Sequence, residues 1–257
     1  MKIFTDIQNW IDFRKGDEFT GKTVGFVPTM GALHKGHLSL VIRSVEENNI
    51  TVASIFVNPT QFNNPDDLDA YPRDLEEDKK LLEELGVHSL IFPDYDSLYP
   101  DNYRYQVTET EFSKILEGVH RPGHFDGVLT VVLKLLNLVD TDRAYFGEKD
   151  YQQYELIRGM AETFFLKTEI VPCPTVREND GLACSSRNLN LTVKDSEKAP
   201  KFHTLLSSDL PSNEVKFHLE KKGFKVDYIE EFQNRRFGAV YLGDVRLIDN
   251  VEMMAKK

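Results

Sequence analysis

Apolar residues along this chain fall into short unbroken runs separated by stretches of helical spacing. Ile3, Ile7, Trp10, Ile11 and Phe13 recur at near-helical intervals, which predicts a short packing helix over 3–14. The run Val24-Gly25-Phe26-Val27-Pro28 predicts a buried strand, and 38–45 a helix behind it. The β-branched run over 50–57 predicts a second parallel strand, closed by the loop chemistry of Asn58 to Pro65. Leu75, Leu81, Leu82 and Leu85 line one side of an otherwise charged segment, the pattern of a surface helix. Residues 89–92, 143–146 and 167–171 predict further strands, 128–139 a long buried helix, and 151–165 another helix. The stretches 93–103 and 117–127 between them read as loops. Strand and helix alternate throughout, which predicts a doubly wound, Rossmann-like parallel α/β sheet.

The pattern changes after Pro174. Polar and charged residues dominate to Lys222, and Pro200 and Pro211 interrupt the helical spacing there. Three short strands follow over 224–229, 239–242 and 245–248, with Gly243-Asp244 as a turn between the last two. The expected organisation is a sheet domain over 1–174 and a second, smaller α+β domain with an antiparallel sheet over 175–257. A chain of 257 residues accommodates both.

Composition narrows the class. Hydrophobic content of 40% and charged content of 28% are those of an ordinary soluble domain. A formal net charge of -11 with scattered Lys and Arg argues against a nucleic-acid partner, whose electrostatic attraction needs clustered cations. No apolar run approaches a membrane span and the first residues lack a secretory core, so a cytoplasmic protein is expected. The two cysteines, Cys173 and Cys184, form neither a CxxC nor a disulfide framework.

The candidate chemistry begins at Gly31-Ala32-Leu33-His34-Lys35-Gly36-His37, placed after a strand and before a helix. Such a turn binds anions in open α/β sheets, because free amides and the helix dipole point at the ligand. Gly36 lets the backbone come close there. The two histidines have no third metal ligand nearby, and a zinc site needs at least three; the plainer alternative is a pair of surface histidines at a helix cap. Gly147-Glu148-Lys149-Asp150 follows another predicted strand, where Lys149 is placed to neutralise phosphate as a point cation or to sit in a solvated charge cluster. In Cys184-Ser185-Ser186-Arg187-Asn188, two hydroxyls and a guanidinium suit polyphosphate oxygens, or a helix cap with a surface arginine. Gln61 and Gln153 are neutral amides suited to a hydroxy acid.

The HxGH stretch resembles the signature of the nucleotidyltransferase superfamily. Pro28-Thr29-Met30-Gly31 with HxGH, Asn58 to Phe62, Tyr71-Pro72-Arg73, Arg121 to Phe125, Gly147 to Gln153 and Asp180 to Asn188, in that order, resemble the pantoate–β-alanine ligase family. The resemblance runs over 24–190 and returns at Arg246-Leu247-Ile248-Asp249-Asn250. It implies condensation of pantoate with β-alanine at the expense of ATP, through a pantoyl adenylate, with AMP and pyrophosphate released. It also implies that Met30, Gly31, Ala32, Leu33, His34, Lys35, Gly36 and His37 line the ATP site, with His34 and His37 on the phosphates and His37 the proton donor. Lys149, Ser185, Ser186 and Arg187 would hold the triphosphate, Gly147, Asp150 and Val176 would border the nucleoside, and Glu148 and Cys184 complete the ATP set. Gln61 and Gln153 match the pantoate positions, Gln61 also lying near β-alanine. Magnesium, a lid over 180–188 and a homodimer are implied as well. Cys184 stands where the family more often has Met, and Lys35, often acidic or polar there, is expected to face solvent. The competing readings are another HxGH nucleotidyltransferase for a small molecule and a non-catalytic nucleotide-binding module of the same fold.

Overall fold

The computed structural model describes residues 1–253. Six short runs pair side by side: β1 (Lys2–Phe4), β2 (Val24–Thr29), β3 (Ile50–Ile55), β4 (Ser89–Ile91), β5 (Arg143–Gly147) and β6 (Glu169–Cys173). They form one all-parallel sheet in the order β1-β4-β3-β2-β5-β6. Helices cover both faces, so β3 is buried from end to end and β2 along all but one residue. One face packs Val24, Phe26, Val52 and Ala144 against the apolar helix His124–Val139. The other packs Val27, Ala53, Ile55 and Tyr145 against Leu40, Val41 and Leu82 from the helices Lys35–Glu47 and Leu75–Glu84.

The strand order positions the site. From β2 the chain winds outward through β3 and β4; from β5 it winds the other way to β6. The crevice where the winding reverses therefore opens between the carboxyl ends of β2 and β5, the topological switch point of such a sheet. Those two ends carry the HxGH turn and Gly147 to Asp150.

The remainder builds a three-stranded antiparallel sheet, β7 (Lys225–Phe232), β8 (Arg235–Leu242) and β9 (Val245–Glu252), backed by the helices Pro200–Leu206 and Ser212–Lys221. Gly243-Asp244 does form the β8–β9 turn, with Leu242 facing Val245. The prolines do not interrupt helices but begin them. Pro200 occupies the first turn of one, where its missing N–H has no partner to lose, and Pro211 immediately precedes the other. A small apolar cluster, Leu116, Tyr228, Phe237 and Ala239, joins this unit to the large sheet.

Two further expectations are corrected. The predicted helix over 3–14 is an edge strand, β1, followed by a helix only from Ile7, because Asp6 caps it by accepting from the Asn9 amide at 2.7 Å. The segment taken as a loop over 117–127 contains a helical turn, Glu117–His120, and the long apolar helix already begins at His124.

Candidate active site

A cavity of about 220 Å³ lies in the crevice between β2 and β5. Met30, His34, Gly36, His37, Gln61, Gly147, Lys149, Asp150, Gln153, Val176, Cys184, Ser185, Ser186 and Arg187 all line it. Gly31, Ala32, Leu33, Lys35 and Glu148 do not. Their side chains or amides are engaged elsewhere, and the reason is structural in each case.

The turn after β2 is held from behind rather than left open. Asp78, buried in the helix Leu75–Glu84, accepts the amides of Ala32 (2.8 Å) and Leu33 (2.7 Å). The Gly31 amide donates to Thr29 Oγ1. Gly31 and Ala32 both take positive φ, 83° and 50°, so the chain reverses sharply around the carboxylate. The amides expected to face a ligand are thus spent on the fold. Lys35 is exposed, as expected, but its Nζ reaches Glu178 at 2.9 Å and so bridges to the chain beyond β6. The carbonyl of Glu148 is taken by Asn250 and its carboxylate faces Arg235.

The histidines do point into the cavity. His34 caps the Lys35–Glu47 helix, its Nδ1 accepting the Gly36 amide at 3.1 Å. That bond places the hydrogen of the neutral ring on Nε2. Gly36 is required for it: a Cβ there would stand 2.9 Å from His34 Cε1. The two rings lie 4.0 Å apart. His37 Nδ1 is sealed from solvent and has no hydrogen-bond partner among the described residues. Burial, then the charge of Lys149, lowers the His34 pKa to about 4. Burial, then His34 and Lys149, lowers that of His37 to about 3. Both rings are therefore neutral N–H donors near pH 7 in the free protein.

Cations and amides converge from three other segments. Lys149 stands at the end of β5, 3.7 Å from the Asp150 carboxylate. Ser185, Ser186 and Arg187 arrive on a hairpin closed by the Arg177–Ala183 bridge and turned at Gly181. Arg187 rests on Asp67 at 2.9 Å and over the Tyr71 ring, while Ser186 donates to the Tyr71 hydroxyl at 3.4 Å. Cys184 is buried, its thiol donating to Glu178. On the far side Gln61 is fixed by its backbone and its side chain together. Its carbonyl accepts from Arg121 (3.1 Å) and binds the His124 ring at 2.8 Å, and its Oε1 accepts from Asn58. Gly127 allows this approach, since a Cβ would meet the Thr60 carbonyl oxygen at 2.6 Å. Asp78, Asn58, Tyr71, Arg121 and His124 were not singled out from the sequence as site residues. Among the described residues no group of three or more His, Cys, Asp or Glu converges to hold a metal ion.

A neutral imidazole pair, a lysine, two serines and an arginine facing two glutamines can bind a polyanion at one end and a hydroxy acid at the other. Known proteins are similar to this chain over most of its length. A family model described as Pantoate-beta-alanine ligase matches residues 2–252. A pantothenate synthetase of Bdellovibrio bacteriovorus is 55% identical over 90% of this chain and 92% of its own. One of Legionella pneumophila is 53% identical over 97% and 99%. Among solved structures, a pantoate-beta-alanine ligase from Francisella tularensis, complexed with beta-gamma ATP and beta-alanine, superposes with a TM-score of 0.94 at 45% identity, covering 98% of this chain and 97% of that one. A pantothenate synthetase from Thermus thermophilus gives 0.87 at 39% identity, covering 98% and 99%.

Proposed function

The chain belongs to the pantoate–β-alanine ligase family, and from that premise we propose how its residues divide the reaction. The activity is the ATP-dependent, AMP-forming condensation of pantoate with β-alanine to pantothenate. In the first half a pantoate carboxylate oxygen bonds to the α-phosphorus and the bond to pyrophosphate breaks. In the second the β-alanine nitrogen bonds to the acyl carbon, the acyl–oxygen bond to AMP breaks, and the nitrogen sheds its proton. The observation that carries the residue assignment is the shared cavity. His34 and His37 at the end of β2 face Lys149 at the end of β5, with Gln61 and Gln153 lining the same space.

An in-line displacement needs positioning and charge stabilisation more than covalent help. The Nε2–H of His34 and the N–H of His37 donate to phosphate oxygens, and Lys149 adds a full positive charge. Ser185, Ser186 and Arg187 hold the leaving pyrophosphate, and Val176, Gly147 and Asp150 border the nucleoside. Gln61, clamped by Arg121 and His124, orients pantoate with Gln153. Magnesium would enter on the nucleotide, held by the phosphate oxygens, and offset charge that Lys149 and Arg187 alone do not cover. We place the boundary between the nucleotide-binding unit and its lid at 174/175. In this reading Arg187 exchanges Asp67 for phosphate as the 180–188 segment closes, excluding water from the adenylate. A homodimer rests on the family resemblance and a cytoplasmic location on the sequence reading alone; no described helix is long and apolar enough to cross a membrane.

An amine-dependent AMP assay tests the reading. AMP should appear with ATP, pantoate and β-alanine, and fall sharply when glycine or γ-aminobutyrate replaces β-alanine. Pyrophosphate released with no AMP under any amine would leave a different nucleotidyltransferase, one that keeps the nucleotide in its product.

A further inference from the structure

The Arg246 to Asn250 motif has no part in the scheme above, yet its last two residues touch both arms of the triphosphate site. Asn250 lies in β9 and is almost fully buried. Its Nδ2 donates to the carbonyls of Glu148 and Lys149, both at 2.9 Å. Its Oδ1 accepts from Arg235 at 2.6 Å, and Arg235 lies over the Tyr151 ring at 3.9 Å. The amide is thus held at its oxygen end and aimed at the turn Glu148–Asp150, a single 3₁₀ turn with no side-chain cap.

Its neighbour grips the other arm. Asp249 accepts from Arg177 through both oxygens, at 2.7 and 2.9 Å, and contacts the His203 ring at 3.1 Å. Arg177 in turn donates to the Gly181 carbonyl, bracing the hairpin that carries Ser185, Ser186 and Arg187. Two consecutive residues of one strand therefore hold the Lys149 turn and, through Arg177, the base of the hairpin that carries Ser185, Ser186 and Arg187.

We propose that Asn250 is a positioning residue for Lys149, so that the cation reaches the phosphates only when the small antiparallel unit is docked. This rests on the reading of Lys149 as a triphosphate ligand. The side chain must be an amide, because one nitrogen supplies two hydrogens to two carbonyls; an aspartate of the same shape supplies none and sets a charge against them. Asn250 touches no substrate in this scheme and acts through main chain alone.

The test is a double-mutant cycle on the first half-reaction, read as pyrophosphate released in a single turnover. Asn250→Ala should slow adenylation by about tenfold or more, since small displacements of a positioned group cost that much, with the pantoate KM within about twofold of its original value. Asn250→Asp should be at least as slow. In a Lys149→Ala background, Asn250→Ala should change the rate by less than about twofold, because its effect passes through a group already removed. Multiplying effects in the double variant would overturn the proposal, as would an Asn250→Ala protein that adenylates normally. If Asn250→Ala does not fold, the near-isosteric Asn250→Asp carries the same comparison. Lys149→Ala at the original rate would overturn the assignment of Lys149 first, and the coupling with it; slow Lys149→Ala with multiplying effects overturns the coupling alone.

Discussion

Asp78 shows how much of this site is made by a residue that never faces the ligand. It occupies a buried position on a helix read from its sequence as a surface helix with a charged face, and it satisfies two amides of a turn with positive φ at two successive residues. Asp78→Ala leaves both amides unpaired, each costing about 1–3 kcal/mol when buried. We expect urea unfolding to report a loss of that order and the ATP KM to rise, since the turn carries His34. Asp78→Asn keeps one acceptor and should fall between. Gly127→Ala tests the opposite wall. The added methyl meets main chain at Thr60, so overpacking should cost about 1–3 kcal/mol and raise the pantoate KM while leaving the ATP KM unchanged. Both residues left traces in the sequence. Leu75, Asp78 and Leu82 stand at i, i+3 and i+7, which puts the carboxylate on the buried stripe of its helix. Gly127 was visible as one of three glycines between 117 and 127, but nothing local says that another segment passes within contact of it.

At the level of elements, hydrophobic runs located the interior strands because β2 and β3 are buried on both faces and need no period to declare themselves. They failed at β1, a three-residue edge strand with two exposed residues, and at the helix ends that polar caps decide. The contact between the units was not legible at all, since it pairs residues more than a hundred apart. Glu117, buried, accepts from Arg246 Nη2 at 2.9 Å, and Arg246 also holds Asp227. Burial alone would raise the Glu117 carboxyl, but the hydrogen bonds and charge of Arg246, with Arg121 behind, bring it down from 4.5 to about 2. The stabilisation is therefore complete above pH 4.5 and is lost as the pH falls through about 2. Arg246→Ala strands that carboxylate and should cost about 3–5 kcal/mol in thermal or denaturant unfolding at pH 7. Replacing both partners, as Glu117→Gln with Arg246→Met, should recover much of it. A single Arg246→Ala protein as stable as the original would show that the pair does not join the units.

Over the whole molecule, the site makes the fold sensitive to acid and the ligand should relieve it. Three imidazoles, His34, His37 and His124, sit near the cavity with pKa values lowered from 6.5 to about 4, about 3 and about 4, by burial first and then by Lys149 for His34, by His34 and Lys149 for His37, and by Arg121 for His124. Above pH 6.5 folded and unfolded chains hold the same protons at these groups. Below it the unfolded chain takes up protons that the folded chain refuses, so stability falls as the pH drops toward 4, by up to about 1.4 kcal/mol per pH unit for each ring. Urea unfolding at pH 7, 6 and 5 should show this decline, and His37→Gln should flatten it by one proton; an unchanged slope would mean that His37 is not held neutral. A triphosphate laid against His34 and His37 reverses the balance, because its charge favours the imidazolium. ATP binding should then be accompanied by proton uptake below pH 6.5, seen as a binding heat that varies with the ionisation enthalpy of the buffer, and ATP should protect the fold more at pH 5.5 than at 7.5. The γ-phosphate takes up protons in the same range, so the decisive comparison is with His34→Gln and His37→Gln, in which the imidazole share of the uptake disappears. Identical uptake in the original and in both variants would place the triphosphate away from the imidazole pair, and the role of the HxGH turn would have to be reassigned to the shape of the cavity alone.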